Sequence, residues 1–239
     1  MSVLLEKVLQ AHGGLDRWWG FSRVNAAIVT GGALWAIKGL VQDPNPREMT
    51  VWLHEERASV TPYGKPEWHT EFAPGRIAIV NASGEMVSER IEPRKAFAGH
   101  DMNTPWDLLH RAYFNGYALW TYLTTPFLLA MPGVEVDEIE PWREGGETWR
   151  VLRARFPNEI ASHSTVQDFF FGDDLLLRRH DYNVDVAGGF DAAQLVFDYI
   201  EADGIRLPSK RRAYTRAPDR QVRFDPLMVS IDISDVHFR

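Results

Sequence analysis

Residues 104–133 read TPWDLLHRAYFNGYALWTYLTTPFLLAMPG. Trp106, Leu109, His110, Tyr113, Tyr117 and Trp120 fall at i, i+3, i+4, i+7, i+11 and i+14, one stripe of a helix. Gly116 and Pro126 are expected to break or bend it, since proline lacks an N–H and crowds the preceding turn. This places the main helical insert at about 104–131.

Outside the insert the period is mostly two. A first helix at 2–11, with Val3, Leu4, Val8 and Ala11 at helical spacing, stops at Gly13-Gly14. Residues 23–39 then predict one long strand, with Gly31-Gly32 as a kink or bulge. MTVWLHE, ASVTP, PEWHTEF, RIAIVN and MVSERIE continue the strands up to the insert. ETWRVLRARF, SHSTVQDFFF, LLLRRHDYNVDV, AAQLVFDYIE, GIRLPSKRRAYT and LMVSIDISDVHF resume them after it. Consecutive strands leave no room for crossover helices, so the sheet is expected to be antiparallel. No repeat or composition shift marks a linker, and residues 1–239 read as a single domain. The fold class is mainly β: a curled antiparallel sheet, with the N-terminal helix and the insert covering its concave face.

Composition narrows the function. The net charge of −7 argues against nucleic-acid binding, which needs excess Lys and Arg to replace phosphate counterions. The absence of cysteine excludes disulfides, thiolate metal sites and Cys nucleophiles. HEERA at 54–58 lacks the second His of a zinc-protease motif, and no two of the eight His lie at i,i+2 or i,i+4. No metal and no cofactor are expected. Glu6 and Lys7 interrupt the apolar N-terminal stretch and spoil a signal-peptide core, and no apolar run is long enough to span a membrane. The chain reads as cytoplasmic.

The element order resembles the half-barrel fold of the bacterial lipoprotein carriers LolA and LolB, shared with the violacein-pathway enzyme VioE. The strings AHGGLDRW, GYALWTYLTTPF, LLRRHDYNVDVAGG and DGIRLPSKRR also resemble a group of uncharacterised bacterial proteins near that superfamily. The resemblance implies a shape that holds an apolar ligand. It carries over no functional residue, because none of these strings is a catalytic signature.

Site residues follow from strand alternation. In 175–189, LLLRRHDYNVDVAGG, one face carries Leu176, Arg178, His180, Tyr182, Val184 and Val186. It begins and ends apolar and is expected to point inward. Leu177, Arg179, Asp181, Asn183 and Asp185 then form the solvated face. In GIRLPSKRRAYT the same reasoning turns Arg211 inward and leaves Arg206, Lys210, Arg212 and Arg216 in solvent. In the strand between, Leu195, Phe197 and Tyr199 read as the apolar face, with Gln194 and Asp198 opposite. Arg178, His180, Tyr182, Tyr199 and Arg211 thus converge on the concave face. His163 joins them in one hairpin register and leaves in the next.

Buried Arg needs internal carboxylates or an anionic ligand, and both readings stay open here. Trp106, His110, Tyr113, Tyr117, Trp120 and Tyr122 either line a pocket or form the helix–sheet core. Nine Trp favour an apolar pocket with a few polar anchors. Three function classes remain. The first is a binding protein for a hydrophobic small molecule or acyl chain with an anionic end. The second is a cofactor-independent enzyme using His180 as acid or base, Tyr182 as donor and Arg178 or Arg211 as anchor. The third is a protein-interaction module.

Overall fold

The computed structural model describes residues 2–239. Ser2 caps helix α1 (Val3–Ala11), accepting a hydrogen bond from the Leu5 N–H at 3.2 Å. The helix buries Leu4, Leu5, Val8 and Leu9. A short α2 (Leu15–Trp19) leads into β1 (Arg23–Gly31). Then follow α3 (Leu34–Ile37), β2 (Arg47–Trp52), β3 (Arg57–Thr61), β4 (Trp68–Ala73), β5 (Arg76–Asn81) and β6 (Met86–Ile91). Helix α4 (Leu108–Thr124) separates these from β7 (Glu135–Glu144), β8 (Glu147–Arg155), β9 (Val166–Phe171) and β10 (Leu177–Val184). The chain closes with β11 (Phe190–Ala202), β12 (Ile205–Arg216), β13 (Val222–Arg223) and β14 (Val229–Phe238).

The strands form one sheet in the order β6-β5-β4-β3-β2-β1-β14-β12-β11-β10-β9-β8-β7, with β13 on β12. Neighbouring strands in that order are antiparallel throughout. The free edges, β6 and β7, are consecutive in the chain, so the segment joining them must pass across the open side. That segment contains α4. The sheet curls around the helix and stays open, a mainly β half-barrel with a helical insert.

Helix α4 begins at a reciprocal cap. Asp107 accepts from the His110 N–H at 2.8 Å, and His110 Nδ1 accepts from the Asp107 N–H at 3.2 Å. Every residue from Arg111 to Thr124 is buried. One side packs on β2–β5, and the other reaches β10 and β12. Gly116 does not bend this helix. A Cβ there would lie 2.3 Å from Cγ of Phe72, so glycine lets α4 approach β4. The helix ends before Pro126, at the C-cap Thr125.

Three more sequence expectations are corrected. The long strand over 23–39 stops at Gly31, and residues 34–37 form α3. A Cβ on Gly32, which has φ 104°, would meet the Met228 carbonyl at 2.4 Å. The short apolar run beyond it fits a buried strand or a helical turn equally by periodicity. The register of β10 shifts between Leu177 and Arg179, a β-bulge that leaves Arg178 without a ladder partner. Leu177 therefore joins the interior with His180 and Tyr182, while Arg178 points outward. On β11 the inward residues are Gln194 and Val196, and Phe197 is exposed. Asp198, at φ 53°, breaks the alternation, and Tyr199 beyond it packs on the core again.

The outer side of β10 is not a solvated face either. Arg179 and Asp181 are 0% and 2% exposed and bond each other at 2.6 and 2.8 Å. Trp149, Val151 and Phe170, with Ile139 and Trp142 against them, make a second small apolar cluster. The Arg179 guanidinium stacks over Trp142 and Phe170 of that cluster. Strand β7, which supplies Trp142 and Glu144, lies in the sequence EVDEIEPWRE and was not foreseen.

Candidate functional site

The inward faces of β9, β10, β11 and β12 present Gln167, His180, Tyr182, Gln194 and Arg211 to the last turns of α4. Helix α4 adds Tyr117 and Tyr122, and the loop before β9 adds His163. All are buried. Arg211 fixes the direction of the hydrogen bonds. A guanidinium only donates, so Arg211 Nη1 gives its proton to Gln194 Oε1 at 2.9 Å. Gln194 must then offer Nε2 to the Tyr182 hydroxyl, 3.4 Å away. The pattern that leaves no hydroxyl proton unused then has Tyr182 donating to Tyr122 Oη at 3.1 Å and Tyr122 donating to His163 Nε2 at 2.6 Å. His163 also stacks on Tyr182, with ring centres 4.0 Å apart. The relay runs from a cation to an imidazole whose Nδ1–H is left over.

The second histidine is oriented independently. Gln167 Nε2 donates to the Ser164 carbonyl at 2.8 Å, which turns its Oε1 toward His180. His180 Nε2–H donates to that oxygen at 2.7 Å, so the lone pair sits on Nδ1. Burial pulls the His163 pKa down to about 3, helped by the Arg94 charge. Burial also drives His180 well below the usual imidazole range, with His163 and Arg211 adding to it. Both rings are neutral at pH 7.

Arg211 is 1% exposed and has only neutral partners. Its Nη2 donates at 2.8 Å to the Tyr122 carbonyl in the last turn of α4. In a continuing helix that carbonyl would accept from residue 126, but Pro126 has no N–H to give. The guanidinium fills the gap, at the end of the helix where the backbone dipole favours a cation. It also lies over the Tyr122 ring, 4.8 Å from its centre. Burial lowers the Arg211 pKa to about 10, and the groups that oppose this are the phenols of Tyr122, Tyr199 and Tyr182, not a carboxylate. Four buried polar atoms here have no partner among the described residues: Arg211 Nε, His163 Nδ1, His180 Nδ1 and Tyr117 Oη.

The structure thus brings His163, His180, Tyr182, Tyr117 and Arg211 together. Tyr199 lies beside them, donating to the Leu177 carbonyl at 3.2 Å and meeting His12 Nε2 at 3.4 Å. Tyr113 sits apart, in a cleft of about 330 Å³ at the open side, with Arg94, Phe156, Pro157 and Ile160. Behind that cleft, Glu56 accepts from the Ala161 N–H at 2.9 Å, and burial raises its carboxyl well above the usual range. Trp120 is on the far side of α4, donating to the Trp52 and Glu55 carbonyls. Trp106 packs edge-on against Phe97, and His110 serves the helix cap.

Arg178 does not converge with the others. Its side chain is 28% exposed and pairs with Asp174 at 2.9 Å. Gln194, Gln167, Arg94 and Glu56 were missed. Gln167 had a signal, since it alternates with Phe169 and Phe171. Gln194 lies inward, on the face opposite to the one that alternation with Tyr199 gives it.

Among the described residues, no cluster of three or more His, Asp or Glu is arranged to hold a metal. No described helix is long and apolar enough to cross a membrane.

No known protein family and no curated protein matches the chain by sequence. Solved structures match by fold. A protein domain from Vibrio parahaemolyticus named for outer membrane lipoprotein sorting superposes with a TM-score of 0.57 at 10% identity, covering 98% of this chain and 92% of its own. A LolA superfamily protein from Nitrosomonas europaea gives 0.53 at 10% identity, over 99% and 92%. A DUF1329 family protein from Desulfovibrio piger gives 0.53 at 10% identity, over 98% and 91%. The likeness runs the length of the chain and is one of fold, so the chain has the LolA-like half-barrel.

Proposed function

We propose that the protein binds a hydrophobic molecule with an anionic head inside the half-barrel, with the head on Arg211. One observation carries this reading: a fully buried guanidinium, at the inner wall of a curled sheet, that meets no carboxylate. Buried cations in folded proteins are paired. Here the partners are a carbonyl and an amide oxygen, and the Nε atom is left without any.

The closed arrangement suggests how a ligand enters. The Tyr122 carbonyl holds Arg211 while α4 fills the concave side. A ligand carboxylate that replaced it would gain a charge-assisted bond worth on the order of 1.5–3 kcal/mol. The hydrocarbon tail would lie where the aromatic side chains of α4 now pack. The 330 Å³ cleft at Tyr113 gives α4 a solvent-facing flank, and entry is proposed there. The name of the Vibrio domain, for lipoprotein sorting, is in keeping with a hydrophobic cargo.

Acid–base catalysis in the same place is less well supported. A general base works best with a pKa near the working pH, and both imidazoles are held far below it. We assign them hydrogen-bonding roles.

The test is displacement of a fluorescent fatty acid by palmitate and by methyl palmitate. Palmitate is expected to bind at least tenfold more tightly, about 1.4 kcal/mol. Equal affinities would rule out an anionic head group.

A further inference from the structure

At the other end of α4 a pair of buried arginines stands without a bonded carboxylate among the described residues. Arg47, at the start of β2, is 4% exposed, and Arg111, in the first turns of α4, is 6% exposed. Arg47 Nη2 donates to the Thr30 hydroxyl at 2.7 Å. Arg111 donates to the Val41 carbonyl at 3.0 Å and to Gln42 Oε1 at 3.1 Å. Each guanidinium has five N–H donors. Arg47 uses one and Arg111 two, always on neutral oxygen, and both Nε atoms are buried without a partner.

The two side chains line a cleft of about 570 Å³, together with Tyr63, Lys65, Asp43 and Asn45. That volume is in the range of small-molecule sites. The one carboxylate whose charge bears on both guanidiniums is Asp43; the other acidic group facing both is the Tyr63 phenol, which burial keeps protonated. Asp43 Oδ1 accepts from the Asn45 backbone and side-chain amides, at 2.9 and 2.8 Å, and the carboxylate makes no hydrogen bond to either guanidinium. Three cations against one carboxylate leave a surplus of two positive charges. Burial holds Arg47 and Arg111 below the usual guanidinium range, and the neighbouring Arg47 charge adds to this at Arg111. An arriving anion would relieve that penalty. Val41 and Leu108 stand beside the cations on the rim, 89% and 41% exposed, so a ligand with an apolar portion also finds contact there.

We propose that this cleft is a binding site for a phosphate-type oxyanion, free or as a lipid head group, held by Arg47 and Arg111 and separate from the half-barrel interior. Two planar guanidinium forks match a dianionic phosphate in geometry and in charge.

The experiment has two arms on the full chain at low salt: calorimetric titration with inorganic phosphate, and co-sedimentation with phosphatidylcholine vesicles with and without phosphatidic acid. Saturable phosphate binding without preference for the acidic vesicles identifies a soluble ligand. Preference for those vesicles without phosphate binding identifies a lipid head group. In the arm that binds, Arg111→Gln should weaken binding by roughly tenfold or more, the loss of a charge-assisted bond. Asp43→Asn, a rim change that spares the buried cations, should tighten it by roughly threefold, the scale of a surface charge interaction. The outward Arg178→Ala should leave it unchanged. No binding in either arm, or binding that neither Arg111→Gln nor Asp43→Asn alters, overturns the proposal. Should Arg111→Gln fail to fold, Asp43→Asn decides it.

Discussion

Strand β10 carries charged or polar groups on both faces, and both faces are buried. The outer face is complete in charge. Arg179 meets Asp181 and Glu144, each at 2.6 Å, Arg220 meets Asp168 at 2.7 Å, and Arg216 meets Asp191 at 2.8 Å. Arg153 joins from β8, bonding Asp168 at 2.8 Å. The inner face holds His180 and Tyr182, and behind them Arg211 with no acid at all. A buried guanidinium with carboxylates around it explains itself as structure. One without them leaves a charge for something else to meet. In the proposed reading, the difference separates a network that holds the sheet together from one that receives a ligand.

The comparison predicts its largest effect on the outer face. Arg179→Ala leaves Asp181 buried and short of its main partner, and should cost about 3–5 kcal/mol in urea denaturation. Loss of ligand affinity there should follow unfolding only. A cost below about 1 kcal/mol would mean the outer network is ornamental to folding.

Acid should find the inner face next. Unfolded imidazoles take up protons near pH 6.5. His12 and His163 resist until about pH 4 and 3, and His180 resists as well, all chiefly through burial. The unfolded chain therefore binds more protons below pH 6.5. This share of stability is whole above that value and drains as pH falls toward 3. His163→Gln keeps a hydrogen-bond acceptor for Tyr122 and removes one such proton. It should reduce the stability lost between pH 7 and 4.5 by about 2–3 kcal/mol, measured by thermal melts at both values. An unchanged loss would mean His163 is not held neutral.

Arg211→Met should be milder for the fold than Arg179→Ala. It strips the Tyr122 carbonyl of its partner, costing about 1–3 kcal/mol, but also removes a buried charge. The smallest effect belongs to Arg178, where Ala should shift stability within about ±0.5 kcal/mol and leave ligand binding intact.

Arg178 and Arg179 show where sequence reading stops. Alternation put Arg211 inside correctly because β12 keeps its register past Lys210. It put Arg178 inside because a bulge adds one residue without any compositional mark. The same limit moved Gln194. Counting back from the inward Tyr199 gives the wrong parity, since Asp198 adopts a left-handed backbone between them. Burial on the outer face was hidden for another reason. Asp181 looks solvated until β7 and the segment around Arg220 are known to cover it, and neither has an apolar pattern. The hairpin meander and the helical stripe of α4 were legible because they rest on many residues at once. Gly116 was misread as a breaker because its meaning, contact with Phe72, lies in the tertiary structure.

The most direct test of the ligand reading is the acid-to-ester affinity ratio in two proteins. Palmitate and methyl palmitate should differ by tenfold or more in the wild type, and Arg211→Met should bring the ratio close to one while methyl palmitate binding is retained. A ratio that survives intact in a folded Arg211→Met variant would contradict the account.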